Sequence, residues 1–174
     1  MTHAVATDPT LDGLSAVVTL ATRIQATMRE RGLTLATAES CTGGLIGYAL
    51  TENDGSSQFY VGGLISYSDE LKERGLGVDR ETLEQHGAVS AETCIAMAAG
   101  ARDRYRASIG LSVTGIAGPE GGTEQKPVGL TYVGVSDVNG SDVRRNVWAG
   151  DRHSNKMRSA EAALLLLLER LGPP

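Results

Sequence analysis

The sequence is poor in the residue types that mark several classes of protein. Aromatic residues make up only 4% of its 174 residues, which leaves few side chains on which nucleic-acid bases could stack. The 16 basic residues are outnumbered by 21 acidic ones, and the net charge of −5 disfavours a nucleic-acid partner. The longest apolar run covers residues 162–168 and is too short to cross a bilayer. We therefore expect a protein that binds neither nucleic acid nor membrane.

Cysteine and histidine are also scarce, which limits disulfide and metal chemistry. The two cysteines, Cys41 and Cys94, form neither a disulfide framework nor a metal-ligand spacing. The three histidines are scattered among polar neighbours, so a Ser-His-Asp triad is not expected. The N-terminal segment lacks the basic and apolar regions of a signal peptide. These absences predict a cytoplasmic protein without a bound metal.

What the sequence does contain is the composition of one globular domain, with 41% hydrophobic residues. We predict a flexible N-terminal tail over residues 1–11 and a single domain over residues 12–172. Periodicity predicts helices over residues 12–31, 43–52, 69–74, 80–85, 91–105 and 152–171, and strands over 33–38, 59–67, 107–113, 128–136 and 142–148. The last two strands form a hairpin across Asn139-Gly140. This order predicts a three-layer α/β/α sandwich with a mixed β-sheet.

The most informative segment is residues 38–44, where a predicted strand passes through a tight turn into a helix. Ser40 stands at this junction, close to the free N–H groups and the positive end of the helix dipole. Such a position suits an anion site or a nucleophile whose oxyanion needs hydrogen-bond donors. The alternative is structural: Ser40 or Thr42 caps the helix, and the glycines shape the turn.

Two further polar or glycine-rich segments, residues 62–68 and 114–122, also fall at predicted strand ends. Strand ends of this kind build the ligand crevice of open α/β sheets. The second segment is unusually dense in glycine, which favours close approach of its backbone to a small ligand over the alternative of a loose surface loop. Its glycines are Gly115, Gly118, Gly121 and Gly122.

A serine nucleophile needs a base, and Lys72 is the candidate that the sequence offers. It lies on a short predicted helix just after the strand that ends at Tyr67, and a desolvated lysine can be neutral enough to accept a serine proton. Tyr67 could relay or share that proton. The alternative is that Lys72 is an ordinary solvated lysine. Cys41 competes with Ser40 as a nucleophile, but neighbouring residues at a helix start point in different directions, and we predict that Cys41 is buried.

Several motifs in this order resemble the CinA C-terminal domain family, and the resemblance covers residues 13–171. Its stand-alone bacterial members are nicotinamide-nucleotide amidases, also called PncC. The motifs are residues 38–44, Gly62-Gly63 with Tyr67-Ser68 and Lys72, residues 87–90, residues 114–119 with 121–123 and 126–129, and Gly150-Asp151-Arg152.

The resemblance implies deamidation of nicotinamide mononucleotide to nicotinate mononucleotide and ammonia, without a cofactor, as part of pyridine nucleotide recycling. It places the catalytic serine on Ser40, the lysine on Lys72 and the tyrosine on Tyr67. Backbone N–H groups near Thr42, Gly43 and Gly44 are expected to hold the oxyanion. The remaining expected substrate-binding residues are Thr114, Gly115, Gly118, Gly121, Gly122, Arg152 and Lys156.

Two positions depart from the usual family pattern. Asp69 stands where the family usually has asparagine, and Lys156 stands where it often has arginine. A carboxylate near Lys72 raises the pKa of that lysine, and a lysine cannot make the bidentate phosphate contact of an arginine.

A second class of function remains open at this stage. Some members of the family have lost amidase activity, so the chain could be a catalytically silent nucleotide-binding module, or an interaction module associated with competence or DNA damage. A homodimer is compatible with both an amidase and a silent binding or interaction module.

Overall fold

The computed structural model describes residues 13–173, so the predicted tail over residues 1–11 lies outside the described part of the chain. Within that range the chain forms six α-helices, five β-strands and one 3-10 turn at Ser56–Gln58. The elements are α1 (Gly13–Glu30), β1 (Leu35–Glu39), α2 (Leu45–Thr51), β2 (Tyr60–Ile65), α3 (Asp69–Leu76), α4 (Arg80–His86), α5 (Ala91–Arg104), β3 (Ile109–Gly115), β4 (Leu130–Asp137), β5 (Gly140–Val147) and α6 (Arg152–Leu171).

The strands form one mixed sheet in the order β2-β1-β3-β4-β5. The strands β2, β1 and β3 are parallel, whereas β4 is antiparallel to both β3 and β5. At the end of β1, Glu39 pairs with Ile65 of β2 and with Val113 of β3. The carboxyl ends of the three parallel strands therefore lie at one edge of the sheet, where a ligand crevice is expected.

Helices cover both faces of the sheet, because successive side chains of a strand point to opposite sides. Leu35 packs into the larger core cluster with buried residues of α1, α2 and α6. Its neighbour Ala36 packs into a second cluster with Leu76 of α3 and with Met97 of α5. The predicted three-layer α/β/α sandwich with a mixed sheet is confirmed.

The hairpin between β4 and β5 turns one residue earlier than predicted. Asp137 pairs with Gly140, so the turn residues are Val138 and Asn139 and not Asn139 and Gly140. The Asp137 carboxylate accepts a hydrogen bond from the Asn139 N–H at 2.7 Å, which stabilises the earlier turn. Gly140 then begins β5 with φ +115°, a backbone conformation that favours glycine.

Helix starts follow the expected chemistry where the sequence has a small polar residue. The Ser90 hydroxyl accepts from the Thr93 N–H at 3.1 Å and so caps α5. In the same way, Ser68 caps α3 and Asp151 caps α6. Across residues 13–173, none of the helices combines the length and the apolar character that a membrane span needs.

Candidate active site

Ser40 lies directly after β1, at the edge where the three parallel strands end. Its N–H donates to the carbonyl of Val113 on β3 at 3.0 Å. On the other side, the Ser66 N–H after β2 donates to the Glu39 carbonyl at 2.8 Å. Residues 40–44, called the serine loop below, are therefore held between the ends of the neighbouring strands.

Neither Ser40 nor Thr42 caps α2, because the buried side chain of Glu39 does so. One carboxylate oxygen accepts from the Thr42 hydroxyl at 2.7 Å, the Gly44 N–H at 3.0 Å and the Ile46 N–H at 3.1 Å. The other oxygen accepts from the Gly47 N–H at 2.8 Å. The alternative in which the side chain of Ser40 or Thr42 caps the helix is therefore wrong, because the Glu39 carboxylate already accepts from the free N–H groups at the start of α2.

The same contacts correct part of the expected oxyanion site. The Gly44 N–H is engaged by Glu39, and the Gly43 N–H donates to the Ser40 carbonyl at 3.1 Å. Within the described range, the N–H groups of Cys41 and Thr42 donate to no other residue. The donors left in the serine loop are those of Cys41 and Thr42. Gly43 and Gly44 serve the turn itself, with φ +65° and +101°.

The two candidate nucleophiles of the serine loop differ in their surroundings. The Ser40 hydroxyl makes no hydrogen bond to another of the described residues, and Ser40 keeps 8% of its surface exposed. The predicted burial of Cys41 is confirmed, with 5% exposed. Burial raises the pKa of the Cys41 thiol to about 12, so a thiolate is not available near neutral pH. The geometry favours Ser40.

Lys72, on α3, is buried beside the serine loop with only 1% of its surface exposed. Its Nζ lies 3.4 Å from the Tyr67 carbonyl and 3.6 Å from the exposed Asp69 carboxylate. Burial lowers the pKa of Lys72, while Asp69 acts in the opposite direction. The charge of Lys72 also acts to lower the pKa of the Cys41 thiol, so the ammonium lies within electrostatic reach of the serine loop. The alternative of a solvated Lys72 is therefore wrong.

Tyr67 contacts Lys72 through its backbone carbonyl and not through its hydroxyl. The hydroxyl accepts a hydrogen bond from Arg152 Nη2 at 3.1 Å. The other end of the same guanidinium donates to the Gly118 carbonyl at 2.9 Å. Arg152 thus joins the segment after β2 to the glycine-rich loop, and the observed partner of the Tyr67 hydroxyl is Arg152.

The first two turns of α6 bring a second cation to the serine loop. The Lys156 Nζ lies 3.5 Å from the point where a side chain at Gly43 would begin. Its charge lowers the pKa of the Cys41 thiol, as that of Lys72 does. Across residues 13–173, neither Arg152 nor Lys156 pairs with a carboxylate. Two cations without a protein counter-charge suit an anionic ligand.

Thr114 is not available to a ligand in this structure, contrary to its expected role. It is fully buried, and its hydroxyl donates to the Ala88 carbonyl at 2.7 Å. It therefore ties the segment before α5 to β3. Gly115 is also structural, since a Cβ there would lie 2.6 Å from the Leu130 carbonyl oxygen of β4.

The remaining glycines of the loop allow it to pack tightly on itself. A Cβ at Gly118 would lie 2.5 Å from the Val128 side chain, and one at Gly122 would lie 2.7 Å from the Val128 nitrogen. Gly121 is exposed and adopts φ +89°. The loop is therefore packed against Val128 at Gly118 and Gly122, while residues 119–125 are exposed. Gly118 is the glycine that contacts Arg152.

The structure adds two residues that the sequence reasoning missed. Glu39 is the first, because its role depends on how the serine loop folds back onto its carboxylate. Asn155 is the second: its amide donates to the Ala117 carbonyl at 3.0 Å and to the Gly150 carbonyl at 2.9 Å. It pins the glycine-rich loop to α6. Its spacing of three residues from Arg152 on one helix face was the available signal.

Comparison with known proteins assigns the family. Residues 17–171 match the CinA C-terminal domain. The chain belongs to the CinA C-terminal domain family. A CinA-like protein from Chlorobaculum tepidum is 51% identical to it over 159 residues, which are 88% of this chain and 38% of that protein. The chain spans between 35 and 38% of the length of three curated relatives that it matches.

Solved structures of CinA proteins share this fold over nearly their whole length. The competence/damage inducible protein CihA from Agrobacterium tumefaciens is 41% identical, with a TM-score of 0.87 over 90% of this chain and 96% of that one. A competence or damage-inducible protein from Enterobacter asburiae is 36% identical, with a TM-score of 0.86 over 90% and 98% of the two chains. The mixed sheet with its flanking helices is therefore the CinA fold.

Proposed function

We propose that this CinA domain is an amidohydrolase in which Ser40 is the nucleophile and Lys72 is the general base. The observation that carries the proposal is the burial of the Lys72 ammonium near the serine loop, where the exposed Asp69 carboxylate at 3.6 Å is the largest of the influences that oppose burial. A buried lysine of this kind has a lowered pKa and can be neutral when it is needed. Serine–lysine pairs are an established variant of triad chemistry.

The proposed reaction has two halves. Neutral Lys72 accepts the Ser40 proton while Ser40 Oγ bonds to the carboxamide carbon, which gives a tetrahedral intermediate. The carbon–nitrogen bond then breaks, and the proton held by Lys72 passes to the leaving nitrogen, so that ammonia departs. In the second half, Lys72 takes a proton from water, the hydroxide attacks the acyl carbon, and the proton returns to Ser40 as the carboxylic acid is released.

The oxyanion of each intermediate needs donors that the protein does not already use. In the serine loop these are the N–H groups of Cys41 and Thr42, as the hydrogen bonds described above leave no others there. Backbone donors fixed before the reaction stabilise developing charge without reorganising. This supports a site built for acyl transfer.

For the substrate we propose nicotinamide mononucleotide, converted to nicotinate mononucleotide and ammonia. The support is the family resemblance together with two cations, Arg152 and Lys156, which stand without carboxylate partners among the described residues. A phosphate is the part of that substrate that such cations would bind. The relatives are named for competence and damage induction, so the proposed substrate rests on the chemistry of the site and on the family resemblance.

The test is ammonia release from three related compounds at equal concentration: nicotinamide mononucleotide, its dephosphorylated riboside and free nicotinamide. We expect release from the nucleotide, with kcat/KM at least about tenfold higher than for the riboside, because a charge-assisted phosphate contact contributes about 1.5–3 kcal/mol. Equal kcat/KM for all three would exclude a phosphate site. Binding of the nucleotide without ammonia release would favour the silent binding module.

A further inference from the structure

The buried carboxylate of Glu39 has no place in the chemistry proposed above, although it lies next to the nucleophile. It is 2% exposed, and none of the ion pairs within residues 13–173 involves it. Its four hydrogen bonds all go to residues 42–47. A buried charge is costly unless it is fully hydrogen-bonded, and these contacts meet that condition.

The four hydrogen bonds to Glu39 restrict the conformation of the serine loop. They fix the Thr42 side chain, the Gly44 nitrogen and the first turn of α2 against one carboxylate. Because Glu39 directly precedes Ser40, its hydrogen bonds to residues 42–47 fold the serine loop back onto the residue that precedes it. With its N-terminus already occupied by an anion, α2 has little attraction left for the oxyanion of a substrate.

We propose that Glu39 is a positioning residue: it holds the serine loop in the shape that presents the Ser40 hydroxyl together with the Cys41 and Thr42 N–H groups to one acyl group. This deepens the proposed function and rests on it for the identity of the nucleophile. Glu39 touches neither the reacting atoms nor Lys72. Its effect passes through the loop, so its loss acts on the geometry of the transition state more than on binding of the nucleotide.

The substitution that tests this is Glu39→Gln, which keeps the size of the side chain. In the better of its two orientations, the amide nitrogen faces the Gly47 N–H, which is another donor, so that end of the contact is lost. We expect kcat for ammonia release to fall about 10- to 100-fold while KM stays within about threefold, since a small misplacement of reacting groups costs up to about that much. Glu39→Gln with wild-type kcat would overturn the proposal.

A general loss of stability must be separated from positioning. Ser112→Ala is the matched control, because the fully buried Ser112 hydroxyl donates to the Cys94 carbonyl at 2.7 Å, on the face of the sheet that α5 covers. We expect Ser112→Ala to lower the melting temperature without changing the serine loop, because this contact lies away from residues 40–44. If Ser112→Ala loses as much kcat as Glu39→Gln at equal loss of melting temperature, Glu39 is merely structural. Should Glu39→Gln not fold, Thr42→Val removes one of the four donors and is expected to lower kcat about three- to tenfold by the same route.

A second readout does not depend on the substrate. A phosphonofluoridate forms a bond between Ser40 Oγ and phosphorus and releases fluoride, while the Ser40 proton passes to Lys72. We expect this reaction at Ser40 to be at least about tenfold slower in Glu39→Gln, since it needs the same oxyanion donors. If the wild-type protein leaves nicotinamide mononucleotide intact, the proposed substrate is refuted. If Ser40 is nevertheless modified more slowly in Glu39→Gln, the positioning role is still supported. Equal rates in both proteins would refute the positioning role.

Discussion

Lys72 Nζ lies 3.6 Å from Asp69 Oδ1, and the two side chains have opposite surroundings, with 1% of the first and 63% of the second exposed. Burial lowers the pKa of Lys72, and the Asp69 carboxylate raises it. The pKa of the proposed base therefore reflects burial, which is the largest influence and lowers it, and opposing groups of which Asp69 is the strongest. Because Asp69 is mostly in water, it can be changed without opening the core.

Replacing Asp69 with asparagine should make Lys72 a base at lower pH. Activity requires neutral Lys72, so kcat/KM rises as pH increases through the Lys72 pKa, and removing the carboxylate lowers that pKa further. We expect the acid limb of the profile to move to lower pH, because the negative charge that raises the Lys72 pKa has been removed. The measurement is kcat/KM against pH for both proteins. An acid limb that stays in place or moves upward would contradict the assignment of Lys72.

The second prediction concerns the lysine itself. Lys72→Met keeps most of the stem and removes the amine, so turnover should fall on the order of 10²- to 10⁴-fold, the usual contribution of a general base. Lys72→Arg should fail as well, because arginine does not lose its proton near neutral pH. Turnover is measured with circular dichroism as the check on folding. A folded Lys72→Arg protein with wild-type activity would remove Lys72 from the base role.

Lys156 offers a test of the anion site that leaves the base untouched. Lys156→Met should raise KM for nicotinamide mononucleotide about tenfold or more, and Lys156→Arg should lower KM, because the guanidinium can make a bidentate phosphate contact. The dephosphorylated riboside is the internal control, since neither substitution should alter its KM. An equal effect on nucleotide and riboside would mean that Lys156 acts through the serine loop, since its Nζ lies near Gly43.

Arg152 should behave differently from Lys156 because it joins two segments of the protein. Its guanidinium donates to the Tyr67 hydroxyl and to the Gly118 carbonyl. Arg152→Ala should therefore raise KM for nicotinamide mononucleotide by roughly tenfold and should also lower kcat for both nucleotide and riboside. Tyr67→Phe removes only one of the two contacts and is the matched comparison. A wild-type kcat in Arg152→Ala would show that the link between the segments has no part in turnover.

Much of the fold followed from the sequence because the signals were local. Glycine and polar turn residues marked the boundaries between helices and strands. The carboxyl ends of parallel strands lie at the same edge of a sheet. This is why Ser40 and Lys72, 32 residues apart in the chain, could be predicted as neighbours. The burial of Lys72 could not be predicted in the same way, because it depends on how α3 packs in the folded protein.

The errors arose where a side chain competes with the backbone for a hydrogen bond. Glu39 reaches forward to the N–H groups of the next helix, so the oxyanion donors expected at Gly43 and Gly44 are already engaged. Thr114 turns towards Ala88 because its position in β3 faces the α5 side. The Asp137 carboxylate moves the hairpin turn by one residue. Each outcome depends on three-dimensional reach and not on residue type alone.

The central claim is that Ser40 is the attacking group, and turnover of Ser40→Ala tests it most directly. Loss of one oxygen leaves the fold, Lys72, Arg152 and Lys156 in place, so ammonia release from nicotinamide mononucleotide should fall on the order of 10³-fold or more, as for other serine nucleophiles. Cys41→Ala is the neighbouring control and should keep most of the activity, because the buried thiol has a pKa of about 12. A folded Ser40→Ala protein that keeps more than about a tenth of wild-type turnover would contradict the account.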